Sequence, residues 1–168
     1  MRRLTILLTI AISVFSMSAQ TLKFGHVNTQ ELMSNLPEME TVMTQLEEIQ
    51  TTNNELLTKM QQELQSEIVK FEQSADTMPE SVLAYKQQEL QQMQENIQQF
   101  YQNAQTSMQQ KQQELTQPVM DKVRKAIDAV AAEQNLIYVF DLSAGAILYH
   151  STQSIDIKPF VRKKLGLE

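Results

Sequence analysis

From Met39 to Leu115 the chain has no glycine and a single proline, Pro79. Turns draw on glycine and proline, so so long a stretch without them must be almost continuous helix. The composition agrees: glycine occurs 3 times in 168 residues, whereas glutamine occurs 24 times, mostly between Gln61 and Gln117. Gln, Glu, Leu, Met and Ala are all good helix formers.

In the first half of this stretch apolar residues recur at Val42, Leu46, Ile49, Leu56, Met60, Leu64, Ile68, Phe71 and Ala75, with Asn53 filling the gap. Steps of three and four predict a mostly heptad seam with a stutter around Met60 to Ile68. The second half gives Leu83, Leu90, Met93, Ile97, Phe100, Ala104, Met108, Lys111 and Leu115 at steps of the same kind. Two long amphipathic helices facing one another are expected. Ser74 to Pro79 is the tip between them, where Thr77 and Glu80 fit a capping box and Pro79 sits in the first turn. Pro37 and Pro118 lie equally far from that tip and are expected to mark the base of an antiparallel coiled-coil hairpin, residues 37–118. In this register Leu46 meets Met108, Leu56 meets Phe100, and Asn53 meets Gln102 in a buried hydrogen bond that could fix the pairing.

The flanks read differently. Leu22 to Val27 can form a strand, and Asn28 with Glu31 gives a second capping box, opening a short helix towards Leu36. After Pro118 a helix resumes through Val119, Val123, Ile127 and Val130 and ends near Asn135. Leu136 to Phe140 and Ala146 to Tyr149 read as strands around a turn at Ser143 to Gly145, and Asp156 caps a final helix that stops at Gly166. The fold class is therefore α+β. Residues 20–36 and 119–168 jointly build a small β-containing body, with the helical hairpin inserted. Three short strands cannot close a core alone. The body, with Phe24, Val27, Val139 and Ile147 among its apolar residues, is expected to oligomerise through its strands.

Residues 1–19 read as a cleavable signal peptide. Arg2 and Arg3 precede an apolar run of 12 residues, Leu4 to Phe15, and the small residues Ser16, Ser18 and Ala19 follow. Twelve residues are too few to span a membrane, which takes about 20. Without those two arginines the chain carries 12 basic against 20 acidic residues, a net −8, which excludes a general nucleic-acid binder. Cysteine is absent, which removes disulfides, thiolate chemistry, cysteine metal sites and a lipid anchor. His26 and His150 are the only histidines, and Gly25, Gly145 and Gly166 form no phosphate-cradling loop. No metal, cofactor or catalytic activity is expected, and Asp141 and Asp156 read as capping and turn residues.

The layout resembles the Skp (OmpH-like) family of periplasmic chaperones over the whole mature chain. The resemblance is carried by Lys23-Phe24-Gly25-His26-Val27-Asn28, by Pro118-Val119-Met120-Asp121-Lys122-Val123-Arg124-Lys125-Ala126-Ile127, by Val139-Phe140-Asp141 and by Ser154-Ile155-Asp156-Ile157. It implies a homotrimer whose β-barrel body carries three helical arms around a cavity. In that cavity unfolded outer-membrane β-barrel proteins are held without ATP during transit of the periplasm. Two departures stand out. Asn28 stands where the family usually has an aspartate, and both residues cap helices. Between Val42 and Leu115 there are 11 acids and 4 bases, whereas the best-known members are basic, so neither a lipopolysaccharide site nor attraction to anionic clients carries over.

Off the seam stand Met43, Val69, Met78, Tyr85 and Tyr101, candidate contacts for client chains because exposed Met and Tyr bind many sequences weakly. The plainer alternative is packing against a neighbouring arm or scattered surface apolarity. The glutamine-rich faces are either a solvated surface or neutral walls that keep a held chain mobile. His26 and His150 could pair on adjacent strands, as a structural contact or a pH switch. Lys158, Arg162, Lys163 and Lys164 suit a helix C-terminus, with weak membrane-surface contact as the alternative. A structural coiled-coil envelope protein without chaperone activity is the competing reading of the whole chain.

Overall fold

The computed structural model describes residues 22–167. The expected signal peptide lies outside the described residues. Strand β1, Phe24–Val27, leads into helix α1, Thr29–Ser34. Asn28 caps α1 by accepting the Glu31 N–H at 3.0 Å. The expected reciprocal half of that box is not made, because the Glu31 carboxylate turns to Lys158 Nζ, 3.1 Å away.

Helix α2, Pro37–Ser74, and helix α3, Glu80–Gln134, are 38 and 55 residues long, or roughly 57 and 82 Å at 1.5 Å per residue. They pack alongside one another from the body to the tip. At the base Lys122 pairs with Glu38, and near the tip Met78 shares a groove with Phe71, Lys86 and Leu90. Helix α3 does not break and resume at Pro118 as expected. It runs straight through, since one missing N–H removes one hydrogen bond from a helix braced by its neighbours.

At the tip, Ala75–Thr77 forms a single 3-10 turn. The expected box from Thr77 to Glu80 is absent. Thr77 Oγ1 instead donates back to the Ser74 carbonyl at 3.0 Å, satisfying the end of α2, and Pro79 itself occupies the cap position of α3.

Helix α3 ends at Asn135, whose left-handed backbone (φ 55°) returns its N–H to the Ala131 and Ala132 carbonyls. Strand β2, Tyr138–Asp141, follows. Ala146 to Tyr149, expected as the next strand, pairs with nothing among the described residues. The third strand is β3, Ile155–Asp156, a segment the sequence assigns to the start of the last helix. Helix α4, Lys158–Leu165, then closes at Gly166. Both pairings are parallel, in the order β2-β1-β3, with β1 central. Parallel pairing needs crossovers. The whole of α1, α2 and α3 forms one, and the loop after Asp141 forms the other.

The core sits where α1, the lower part of α3, and α4 cover the inner face of this sheet. Val27, Leu32, Leu36, Val123, Val130, Ile157 and Val161 are each at most 2% exposed. Glycine at position 25 leaves room for the core side chains, because a Cβ there would lie 2.7 Å from Leu136 Cδ1 and 3.2 Å from Ile157 Cγ2 and both would have to shift. That close approach seats β1 on the core.

Candidate functional site on the arms and the outer sheet face

The arm seams follow from burial. In α3 all nine expected seam residues, Leu83 through Leu115, are half-buried. In α2 the half-buried positions include Leu46, Ile49, Asn53, Leu57, Met60, Leu64, Ile68 and Phe71, and Met78 beyond its end is half-buried too. The seam therefore passes through Leu57, whereas Leu56, placed on it by the sequence, is 44% exposed. The expected stutter at Met60-Leu64-Ile68 is present, and the shift to Leu57 adds another at Ile49-Asn53-Leu57, two steps of four. The added stutter faces a pair of four-residue steps, Phe100-Ala104-Met108, in α3. The expected bond between Asn53 and Gln102 is not formed. Asn53 lines the same groove as Ala104 and Met108, while Gln102 is exposed and its carbonyl accepts from Thr106 Oγ1 at 3.1 Å.

At a stutter the central residues of both helices point straight at the opposing helix instead of interlocking. Here those residues are Asn53 and Ala104, and alanine is too small to fill the space. The result is a groove of about 450 Å³ at mid-arm, floored by Leu57, Phe100, Ala104 and Met108.

Four of the five off-seam residues are exposed: Met43 at 59%, Val69 at 40%, Tyr85 at 65% and Tyr101 at 52%. Tyr101 stands at the edge of the mid-arm groove. Met78 differs. It is half-buried beside Phe71 and Leu90, because the tight tip folds its side chain back between the helices.

On the body, strand alternation divides the sheet. Val27 is buried in the protomer's own core and Val139 packs against that core, so neither faces outward. The outer face carries Phe24, Tyr138 and Phe140, whose rings stack with centroids 6.2–6.3 Å apart. Each remains more than a third exposed. Ile147 is half-buried at the edge of this face, and beyond it Leu148 and Tyr149 are 97% and 82% exposed. The alternation of Tyr138 with Phe140 could have revealed this aromatic face, but it is masked by the apolar residues between.

His26 and His150 do come together, with ring centroids 4.1 Å apart, and His26 Nδ1 lies 2.8 Å from Ser154 Oγ. His150 reaches its partner from the loop after β2 and not from a strand. Asp141 is a structural clamp. Its carboxylate accepts from the N–H and hydroxyl of Thr29 (3.1 and 2.6 Å) and of Ser143 (2.9 and 2.8 Å), tying β2 to the start of α1. Partial burial pushes this carboxyl up, but the four hydrogen bonds prevail and hold it below the ordinary aspartate value. Asp156 Oδ1 accepts the Lys158 N–H at 2.9 Å, but Asp156 ends β3 and the cap position of α4 is Ile157, one residue past the expected cap. In the basic last helix Lys158 pairs with Glu31, and Lys164 with Glu133 at 2.6 Å. No helix of the described residues is long and apolar enough to cross a membrane.

No curated protein matches this chain. Among solved structures, a protein described as an OmpH-like outer membrane chaperone from Caulobacter crescentus CB15 superposes with a TM-score of 0.73 at 18% identity. The alignment covers 86% of this chain and 83% of that one. At that identity the likeness speaks for the fold. The profile of the outer membrane protein (OmpH-like) family matches residues 23–165, from the first strand to the last helix. The chain is a member of the OmpH-like family.

Proposed function

We propose that this protein is an ATP-independent holdase chaperone of the periplasm, which keeps unfolded outer-membrane β-barrel proteins from aggregating. The observation that carries the reading is a pair of long helices that, between Met43 and Pro118, never fully bury their apolar residues, in a chain of the OmpH-like family. Apolar groups such as Met43, Val69, Tyr85 and Tyr101 remain open to weak contacts with a client chain. In this reading residues 37–118 form a coiled-coil arm, residues 20–36 and 119–168 form the body, and three bodies assemble into a homotrimer. Support for assembly comes from the stacked outer face of Phe24, Tyr138 and Phe140 and from the exposed pair Leu148 and Tyr149. An apolar face of this kind on a sheet with two short edge strands fits burial against further copies of the chain.

The arm is acidic, so Coulomb attraction to acidic clients is not the driving force. Weak apolar contacts, added across three arms, are. The test is light scattering from an unfolded outer-membrane β-barrel protein diluted out of denaturant with the purified mature chain. Aggregation should be suppressed, and suppression should persist at about 0.5 M salt, where charge effects are screened. The combined variant Met43→Ser, Val69→Ser, Tyr85→Ser and Tyr101→Ser should lose most of the effect while keeping its helicity. Unimpeded aggregation with the wild-type chain would leave the structural envelope role instead. A monomer in sedimentation at micromolar concentration would rule out the trimer.

A further inference from the structure

The mid-arm groove differs chemically from the rest of the arm. Residues 37–118 hold 13 acids and 4 bases, and the other grooves along the arm include Glu55 with Lys59, Glu67 with Lys86, and Glu38 with Lys122. None of the residues lining the mid-arm groove is charged. Its rim is made of carboxamides, Gln50, Asn54, Gln105, Gln109 and Gln112, with Asn53 between the helices. A carboxamide offers both a donor and an acceptor, the same pair that a peptide group presents. The floor is apolar and ends on two aromatic residues, Phe100 and Tyr101.

Resting on the chaperone reading above, we propose that this groove is a discrete docking site for an extended, uncharged segment of unfolded polypeptide. An aromatic or large aliphatic side chain of that segment enters the space above Ala104, between Leu57, Phe100 and Met108. The rim carboxamides meet its backbone. The occupant follows from complementarity: a charged segment would lose hydration against a neutral wall without gaining a partner, whereas an uncharged backbone keeps its hydrogen bonds. Outer-membrane strands, which alternate apolar with small polar residues, are rich in such segments. The groove exists because the stutters in α2 and α3 coincide and because position 104 is alanine.

The probe is a fluorescein-labelled nonapeptide of alternating Thr and Ser with one central Tyr, titrated into the purified mature protein. A matched peptide with two Glu residues beside the Tyr serves as control. The neutral peptide should bind, and the acidic one should bind at least about tenfold more weakly, as desolvation of unpaired charge requires. Ala104→Leu fills the groove and should reduce affinity for the neutral peptide about tenfold. Because a larger residue could disturb helix packing, the exposed double substitution Gln50→Glu and Gln109→Glu is measured alongside. It adds charge to the rim without touching the seam and should weaken binding about fivefold, with unchanged melting temperature and helicity. Equal affinity for both peptides, or both variants binding like wild type, overturns the proposal. Disulfide crosslinking between Asn54→Cys and Gln109→Cys of different protomers, without peptide, would show that a second copy fills the groove and would also overturn it. If aggregation of the full client is still suppressed in any of these cases, the docking site falls and the holdase reading stands. Failure of the wild type to suppress aggregation removes the holdase reading itself.

Discussion

The body and the arms are built from the same chain with opposite outcomes. In the body, α1, α3 and α4 lie over a sheet, and seven residues are essentially sealed from solvent. In the arms no residue between Met43 and Pro118 is fully buried. Two helices cover one stripe of each other and nothing more, so a third layer is needed to make an interior. Charge divides the same way. Residues 37–118 carry 13 acids against 4 bases, whereas residues 22–36 with 119–167 carry 6 acids against 8 bases. The body's stability is concentrated in a few sealed contacts, while that of the arm is spread thinly over many half-wet ones. Such an arm tolerates change residue by residue and keeps apolar surface available.

The comparison can be broken most directly by placing the same charge in each region. Val123→Asp puts a carboxylate at a site with no exposure and should cost on the order of 4 kcal/mol or more, enough to unfold the body. Ile97→Asp, at a half-buried seam position, should cost only about 1–2 kcal/mol. Equal losses in urea melts would mean that the arm has a true interior.

Asp141→Asn should cost about 2 kcal/mol near neutral pH, since charge-assisted hydrogen bonds from Thr29 and Ser143 are weakened together. Because the folded carboxyl titrates below its unfolded value, its contribution is complete above about pH 4 and fades as pH falls through the folded value. The melting temperatures of wild type and Asp141→Asn should therefore converge on acidification below about pH 4. A gap that stays constant would assign the effect to shape and not to charge.

Within the arm, Leu57→Ser should cost about 1.5 kcal/mol and Leu56→Ser no more than about 0.5 kcal/mol, as one faces α3 and the other faces water. The reverse order would restore the unshifted seam. The mildest contrast lies in hydrogen exchange. Amides of β1, paired on both sides, should exchange slowest. Those at Ala75–Thr77 should exchange fastest, moderated only by Met78 folding back between the helices.

Much of this architecture is legible in the sequence because it depends on local chemistry. The absence of glycine across the arm forces helix, a three-and-four repeat gives each helix one apolar stripe, Asn28 and Asn135 mark helix ends, and Gly166 closes the last one. The α3 seam matches the burial at every expected position, because from Leu90 to Ile97 and from Ala104 to Leu115 its residues have no apolar neighbour, and beside Phe100 the polar-tipped Tyr101 is the one left exposed. The α2 seam slips at Leu56 because Leu57 stands beside it, and repeat counting has no means of choosing between adjacent leucines. Only the opposing helix chooses. Its own stutter at Ala104 pulls the contact one residue along and opens the mid-arm groove.

The sheet was decided in the same non-local way. Ala146 to Tyr149 has better strand-forming residues than Ile155–Asp156, yet the latter pairs with β1. The reason is that Ile157, which follows, is anchored in the core with no exposure, and this fixes which backbone lies beside Gly25 and His26. Local propensity cannot see that anchor, since its partners are Gly25 and Val27, more than a hundred residues earlier. Most helix stops, and the contrast between long seam-bearing helices and β-containing flanks, are set by neighbours within a turn or two, whereas the continuity of α3 through Pro118 is not. Tertiary structure decided the register, the third strand and the groove, because each depends on which distant surface excludes water first.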